Sequence, residues 1–139
     1  MKRTALADRS LPDYTRGEEI CNMVTHIVGG ALGITACVLC PIFGALHHDA
    51  YAVVSGAIFG FCMLVLYAIS SVYHGLSPRL FGKKVMQVLD HCSIFLLIAG
   101  TYMPIALGPI RRHSAALGWT LFGVIWGWRR WGSPSTPSI

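Results

Sequence analysis

Charge is the scarcest feature of this 139-residue sequence. Only 12% of its residues are charged and 54% are hydrophobic, whereas roughly a quarter of the residues in soluble domains are charged. No Asp, Glu, Lys or Arg occurs between Glu19 and Asp49, or between Asp49 and Arg79. Each run exceeds the ~20 residues that a helix needs to cross the hydrocarbon core. The composition excludes an ordinary soluble domain and predicts an all-α integral membrane protein.

The apolar segments predict about four transmembrane helices within a domain that covers residues 18–128. The predicted spans lie at about 20–46, 50–74, 85–107 and 114–128. Pro104 and Pro109 should end or kink the third span, because proline lacks the N–H donor and clashes with the preceding turn. The fourth span is short, with an uncharged run below the ~17 residues of a usual span.

The start of the sequence also has little apolar character, and we expect no cleavable signal peptide there. Residues 1–17 form a polar leader that carries charges of both signs and no apolar core. Nine of the eleven basic residues fall on the leader's side of the predicted spans, which favours a cytoplasmic N-terminus. Since these charges lie between spans and form no patch, we expect contact with membrane lipid and not with nucleic acid. The sequence leaves open whether copies of the chain form a homo-oligomer.

The end of the sequence departs from the membrane pattern. Residues 129–139 are abruptly basic and rich in Ser and Pro, so the fourth span looks cut off within the membrane. Two explanations remain open: a shift of the reading frame, or a genuine short basic tail. Five cysteines lie in or beside the spans, and the Cys37-x-x-Cys40 pair is interpreted as small apolar filler, not as a redox or zinc motif.

Polar residues on three spans should meet at the cytoplasmic side. Ionisable side chains within spans are costly, so they ordinarily face the bundle interior and indicate function. Helical spacing puts one group on a face of span one and a second at the end of span two. The third group lies at the start of span three, and the carboxylate of Asp90 is about 9 Å into the helix. These residues are Glu19, Asn22 and His26; Ser70 and His74; and Asp90 and His91.

A carboxylate at the depth of Asp90 needs a partner: a protonated histidine, a metal ion or a metal-bound water. Metal-binding histidines commonly bond a second polar group through their other nitrogen. Plainer readings stay open, namely a structural salt bridge from Asp90 to Lys83, Lys84 or a histidine, an interfacial His74, and a packed His26.

Four segments in order resemble the hemolysin III family of bacterial membrane proteins, which is related to the progestin and adipoQ receptors. They are "GEEICNMVTH" at 17–26, "SSVYHGL" at 70–76, "LDHCSIFLLIAGTYMP" at 89–104 and "GWTLFGVIWG" at 118–127. The resemblance implies a seven-helix bundle in the bacterial inner membrane, with a cytoplasmic N-terminus. This chain would then be its N-terminal part.

In the receptor branch the resemblance also implies a zinc ion near the cytoplasmic side. His74 would be a direct ligand, Ser70 would support it, and Asp90 would act through a metal-bound water. The remaining family ligands come from a His-x-x-x-His motif on the last helix, which this sequence lacks. We therefore expect an incomplete site and an inactive fragment, unless His26, His91 or another chain supplies ligands.

The implied chemistry is amide hydrolysis of a ceramide-like substrate, with Asp90 as the base. Two alternatives belong to other classes: a pore-forming cytolysin, as the family name states, and a non-catalytic protein of membrane or envelope homeostasis.

Overall fold

The computed structural model describes residue 6 and residues 10–131. The predicted leader is thus covered in part, and residues 132–139 of the predicted tail lie outside the described residues. Within the described part of the chain the fold is entirely helical, as predicted. The elements are α1 (Arg16–Leu46), α2 (Ala50–Gly75), α3 (Phe81–Ile105), a π-helical turn (Ala106–Ile110), α4 (Arg111–His113) and α5 (Ala115–Trp131).

Both ends of α1 are defined by local polar contacts. Thr15 caps its start: the Thr15 hydroxyl accepts from the Glu18 N–H, and the Glu18 carboxylate accepts from the Thr15 N–H at 2.8 Å. This reciprocal capping box satisfies two N–H groups that the helix start would otherwise leave unpaired. At the other end His48 takes a left-handed conformation with φ 53°, and Asp49 caps α2 by accepting from the Tyr51 and Ala52 N–H groups.

Small residues allow α1 and α2 to pack closely along their length. A Cβ added at Gly60 would lie 2.5 Å from the backbone nitrogen of Cys37, and one at Gly56 would lie 2.7 Å from the Cβ of Cys40. The Cys37-x-x-Cys40 pair therefore lies in the helix–helix interface, opposite two glycines. This placement supports the interpretation of the pair as packing residues.

The third apolar segment is irregular at one end. Pro104 lies inside α3, and the regular helix gives way to the π-helical turn after Ile105. Gly108 has non-helical dihedrals (φ −88°, ψ −106°) directly before Pro109. Proline disfavours the α conformation in the residue before it, which accounts for the kink at this position.

Helix α5 turns back onto α2 and α3. The indole N–H of Trp126 donates to the sulfur of Met103 at 3.1 Å, and Trp119 meets Tyr51 edge to face with ring centroids 6.3 Å apart. These contacts hold the fourth apolar segment against the others.

Three helical segments between residues 10 and 131 are long and apolar enough to cross a membrane: Arg16–Leu46, Ala50–Gly75 and Phe81–His113. Ala115–Gly127 is a shorter apolar helix. Many large apolar side chains are exposed, including Ile27, Leu32 and Phe95, and membrane lipid is the environment that suits such faces. The chain is therefore a multi-pass membrane protein whose outer surface contacts lipid.

Candidate functional site at the polar end

The start of α1, the end of α2 and the start of α3 meet at one end of the bundle, which we call the polar end. Glu19 on α1 is its central residue. One carboxylate oxygen accepts a hydrogen bond from Nδ1 of His74 at 2.7 Å, and the other accepts from Nζ of Lys83 at 2.5 Å. A single carboxylate thus joins three helices.

Lys83 is almost completely buried, with 2% of its side chain exposed, and Glu19 is 13% exposed. The Lys83 ammonium also donates to the backbone carbonyl of Leu76 at 2.9 Å, and it lies 5.2 Å from the centre of the Tyr73 ring. A buried charge is tolerated only when it is paired and hydrogen-bonded. Lys83 meets that condition through Glu19 and the end of α2.

His26 lies two turns beyond Glu19 and stacks on His74. The two imidazole planes are within 4° of parallel and their centroids are 5.7 Å apart. The Nδ1 atom of His26 is buried and finds no hydrogen-bond partner among the described residues. Since buried polar groups are nearly always bonded, an orphaned nitrogen beside a second imidazole indicates that a further group belongs there.

The remaining predicted residues divide into two groups. Asp90 is half-buried on α3, while Ser70 is buried at 3% exposure one turn before His74. Asn22 is half-buried on α1.

His91, in contrast, is exposed, and its Nδ1 is hydrogen-bonded to the Gln87 carbonyl of its own helix at 2.7 Å. The structure therefore leaves His91 outside the polar cluster, whereas Asp90, Ser70 and Asn22 are at least half-buried.

The donors brought together at the polar end do not complete a zinc site. In the described part of the chain no group of three or more His, Cys, Asp or Glu residues is arranged to hold a metal ion. Catalytic zinc ordinarily has three protein ligands and a water. One ring nitrogen of His74, Nδ1, is already hydrogen-bonded to Glu19. The described residues of the polar end therefore do not form a complete set of metal ligands.

The comparisons with known proteins concern the chain as a whole. A family model described as "Haemolysin-III related" matches residues 14–133. The chain belongs to this family. No solved structure matches it.

Two curated hemolysin III relatives come from bacilli. "Hemolysin-3 homolog" of Bacillus subtilis (strain 168) is 41% identical over 113 residues, which cover 81% of this chain and 51% of the relative. "Hemolysin-3" of Bacillus cereus is 41% identical over 110 residues, 78% of this chain and 48% of the relative. The chain thus spans about half the length of the curated relatives it matches.

Lys83 is a central residue of the polar end in this hemolysin III chain, and the sequence did not predict that role. Lys83 was counted among the basic loop residues that orient the chain, or as a partner for Asp90, but it lies within α3 and pairs with Glu19. Helix α3 begins at Phe81, before the predicted span, so Lys83 falls in its first turn. The sequence feature that indicates this role for Lys83 is the Glu19 carboxylate, because a carboxylate within the bundle needs a cation at the same end.

Proposed function

We propose that this chain forms part of a hemolysin III-type bundle in the bacterial inner membrane, with its N-terminus in the cytoplasm. The polar end then faces the cytoplasm and contributes one share of a zinc site. In this proposal His74 is a ligand, Asp90 acts through a water and Ser70 supports the site.

The observation that carries the proposal is the pair of stacked imidazoles, one with an orphaned nitrogen. His26 and His74 are 5.7 Å apart between ring centres, and Nδ1 of His26 is buried without a described partner. Neutral imidazole is a common metal ligand. A divalent cation would give these groups the partner that the described residues do not supply.

The other ligands must come from outside this chain. The family resemblance assigns them to a His-x-x-x-His motif that the sequence lacks, so a longer chain or a second protein would supply them. We propose that the complete assembly hydrolyses an amide of the ceramide type, with Asp90 accepting a proton from the attacking water. The carboxylate of Asp90 suits that role because it is half-buried and the described contacts show no ion pair for it.

Zinc binding tests the site directly. The chain in nanodiscs is titrated with zinc against a chromophoric chelator, alone and after co-expression with the unmatched half of the Bacillus subtilis relative. We expect weak binding alone, and binding at least tenfold tighter with the second half. His74→Gln should abolish that gain, whereas His91→Gln, which alters an exposed histidine, should not. Tight binding that survives His74→Gln would refute the ligand assignment.

Amide hydrolysis is tested on the same co-expressed assembly in vesicles that contain ceramide, with released fatty acid as the readout. We expect release from the zinc-loaded assembly and at least a hundredfold loss in Asp90→Asn, as is usual when an acid–base group is removed. If Asp90→Asn instead still replaced the deleted gene in cells, a non-catalytic role in the envelope would be the better proposal.

A lytic function is a second proposal, supported by the name "Hemolysin-3" of the Bacillus cereus relative. Its test is dye release from erythrocyte ghosts by detergent-free protein. Release that depends on this chain and is unaffected by chelators would favour a pore over a hydrolase.

A further inference from the structure

Glu19 has no assigned role in the proposed zinc site, but it makes two short hydrogen bonds at the polar end. It bonds His74 on α2 and Lys83 on α3, which are 55 and 64 residues away in the sequence. Neither contact is local to one helix. A side chain that joins two other helices in this way fixes the positions of both partners.

The contact with His74 determines which nitrogen of the ring is free. A neutral imidazole has one N–H donor and one lone-pair acceptor. Nδ1 lies 2.7 Å from a carboxylate oxygen, and a carboxylate only accepts, so Nδ1 must carry the hydrogen. Nε2 then carries the lone pair, which is the form in which a histidine binds a cation or accepts a proton.

Lys83 keeps the carboxylate in place. Its Nζ bonds both Glu19 and the Leu76 carbonyl, so the ammonium is fixed to the end of α2 and to α1 at once. The ring of His74 is further confined by Tyr73, whose centroid is 4.8 Å away, and by the stacked ring of His26.

We propose that Glu19 is a positioning residue which, held by Lys83, selects the Nδ1–H tautomer of His74 and so presents Nε2 as the reactive atom. Carboxylates commonly orient metal-binding histidines through the second ring nitrogen. The sequence suggests Ser70 and Asp90 for such a supporting role, and the observed hydrogen bond adds Glu19. The inference deepens the proposed zinc site, yet the tautomer exists without any metal and can be measured separately.

The experiment is nitrogen NMR of the whole metal-free chain in nanodiscs, with ¹⁵N-labelled histidine and buffer alkaline enough to keep imidazole neutral. The chain has six histidines, and the His74 signals are assigned by their loss in His74→Gln. We expect a protonated Nδ1 and a bare Nε2 at His74. A bare Nδ1, or protons on both nitrogens, would overturn the proposal.

The key variant is Glu19→Leu with Lys83→Met, which removes the acceptor without leaving an unpaired charge. We expect at least a tenfold shift of His74 toward the Nε2–H tautomer. Glu18→Leu is the matched control, because Glu18 bonds only to Thr15 in the described contacts and should leave the tautomer unchanged. A double variant that folds but keeps the Nδ1–H tautomer at His74 would refute the role of Glu19. If the double variant does not fold, the tautomer of His74 in the wild-type spectrum decides the proposal. If the chain shows the expected tautomer shift but the zinc titration shows no binding, the proposed zinc site is refuted and the role of Glu19 is not.

Discussion

At the scale of single residues, Glu19 and Lys83 form an ion pair that is poorly accessible at both partners, with 13% and 2% of the side chains exposed. Removing one partner of a buried pair leaves an uncompensated charge and costs about 3 to 5 kcal/mol, whereas replacing both with apolar groups is often close to neutral. We expect Lys83→Met to destabilise the fold by that amount and Glu19→Leu/Lys83→Met to recover most of it. Unfolding in SDS titrations measures both. Additive losses in the double variant would show that the pair is not coupled.

Asp49, at the opposite end of the bundle, provides a prediction about pH. The hydrogen bond and charge of Arg112, together with the N–H groups of Tyr51 and Ala52, hold the pKa of the Asp49 carboxyl below its ordinary value of 3.8. A pKa lowered by folding adds stability above the unfolded pKa, and this stability is lost as the pH falls through the folded pKa. Because Arg112 is 65% exposed, solvent and salt weaken the pair.

The variant Asp49→Asn isolates this charge, since asparagine is an equally good helix cap. We expect a small loss of thermal stability at neutral pH that shrinks in high salt and disappears as the pH drops below 3.8. Melting curves across this range measure the loss. Equal losses at neutral and strongly acidic pH would mean that the side chain acts by its shape.

Residue spacing predicted part of the polar end and not the rest. Glu19 and His26 share a face of α1 by their separation, and the structure places His74 against both. The pairing of Lys83 with Glu19 depends on where α3 begins and how it is rotated about its axis, which local sequence does not determine. The same rotation leaves His91 exposed although it follows Asp90 directly.

At the scale of helices, the α1–α2 contact depends on residues without side chains. An added Cβ at Gly60 would lie 2.5 Å from the Cys37 nitrogen and 2.7 Å from its Cα, so backbone would have to move. We expect Gly60→Ala to destabilise the protein by about 1 to 3 kcal/mol, the usual cost of overpacking. Gly30→Ala is the control in the same helix pair, because its Cβ would meet only Tyr67 at 3.9 Å. SDS titrations of both variants test this: equal stability would mean that the two helices can separate at little cost.

The helical architecture was largely predictable because uncharged runs and prolines are local signals. The apolar runs predicted an all-helical membrane fold, and Pro109 marks the kink that the structure shows at Gly108. The continuation of α3 through Pro104 was not predictable from that residue alone. Proline costs a helix one hydrogen bond and a clash, and surrounding packing decides whether the helix ends or only bends.

At the scale of the whole molecule, basic residues divide unequally between the two ends of the bundle. Ser77 lies in the loop between α2 and α3 at the polar end, with Arg79 close by, and His48 lies in the opposite turn. The positive-inside bias predicts that the loop with Ser77 lies in the cytoplasm and that the turn with His48 lies outside. If the orientation were reversed, the polar cluster would face the periplasm, and the proposed cytoplasmic location of the zinc site would be wrong.

Cysteine labelling in cells decides between the two orientations. The five native cysteines are replaced with alanine, and single variants His48→Cys and Ser77→Cys are treated with a membrane-impermeant maleimide before and after permeabilisation. We expect His48→Cys to react in intact spheroplasts and Ser77→Cys only after the membrane is opened, because each exposed residue lies outside the helices. The reverse pattern would refute the proposed topology and the cytoplasmic site together. Labelling of both variants in intact spheroplasts would show that the chain inserts in two orientations, so its nine-to-two charge asymmetry would not be sufficient to fix one.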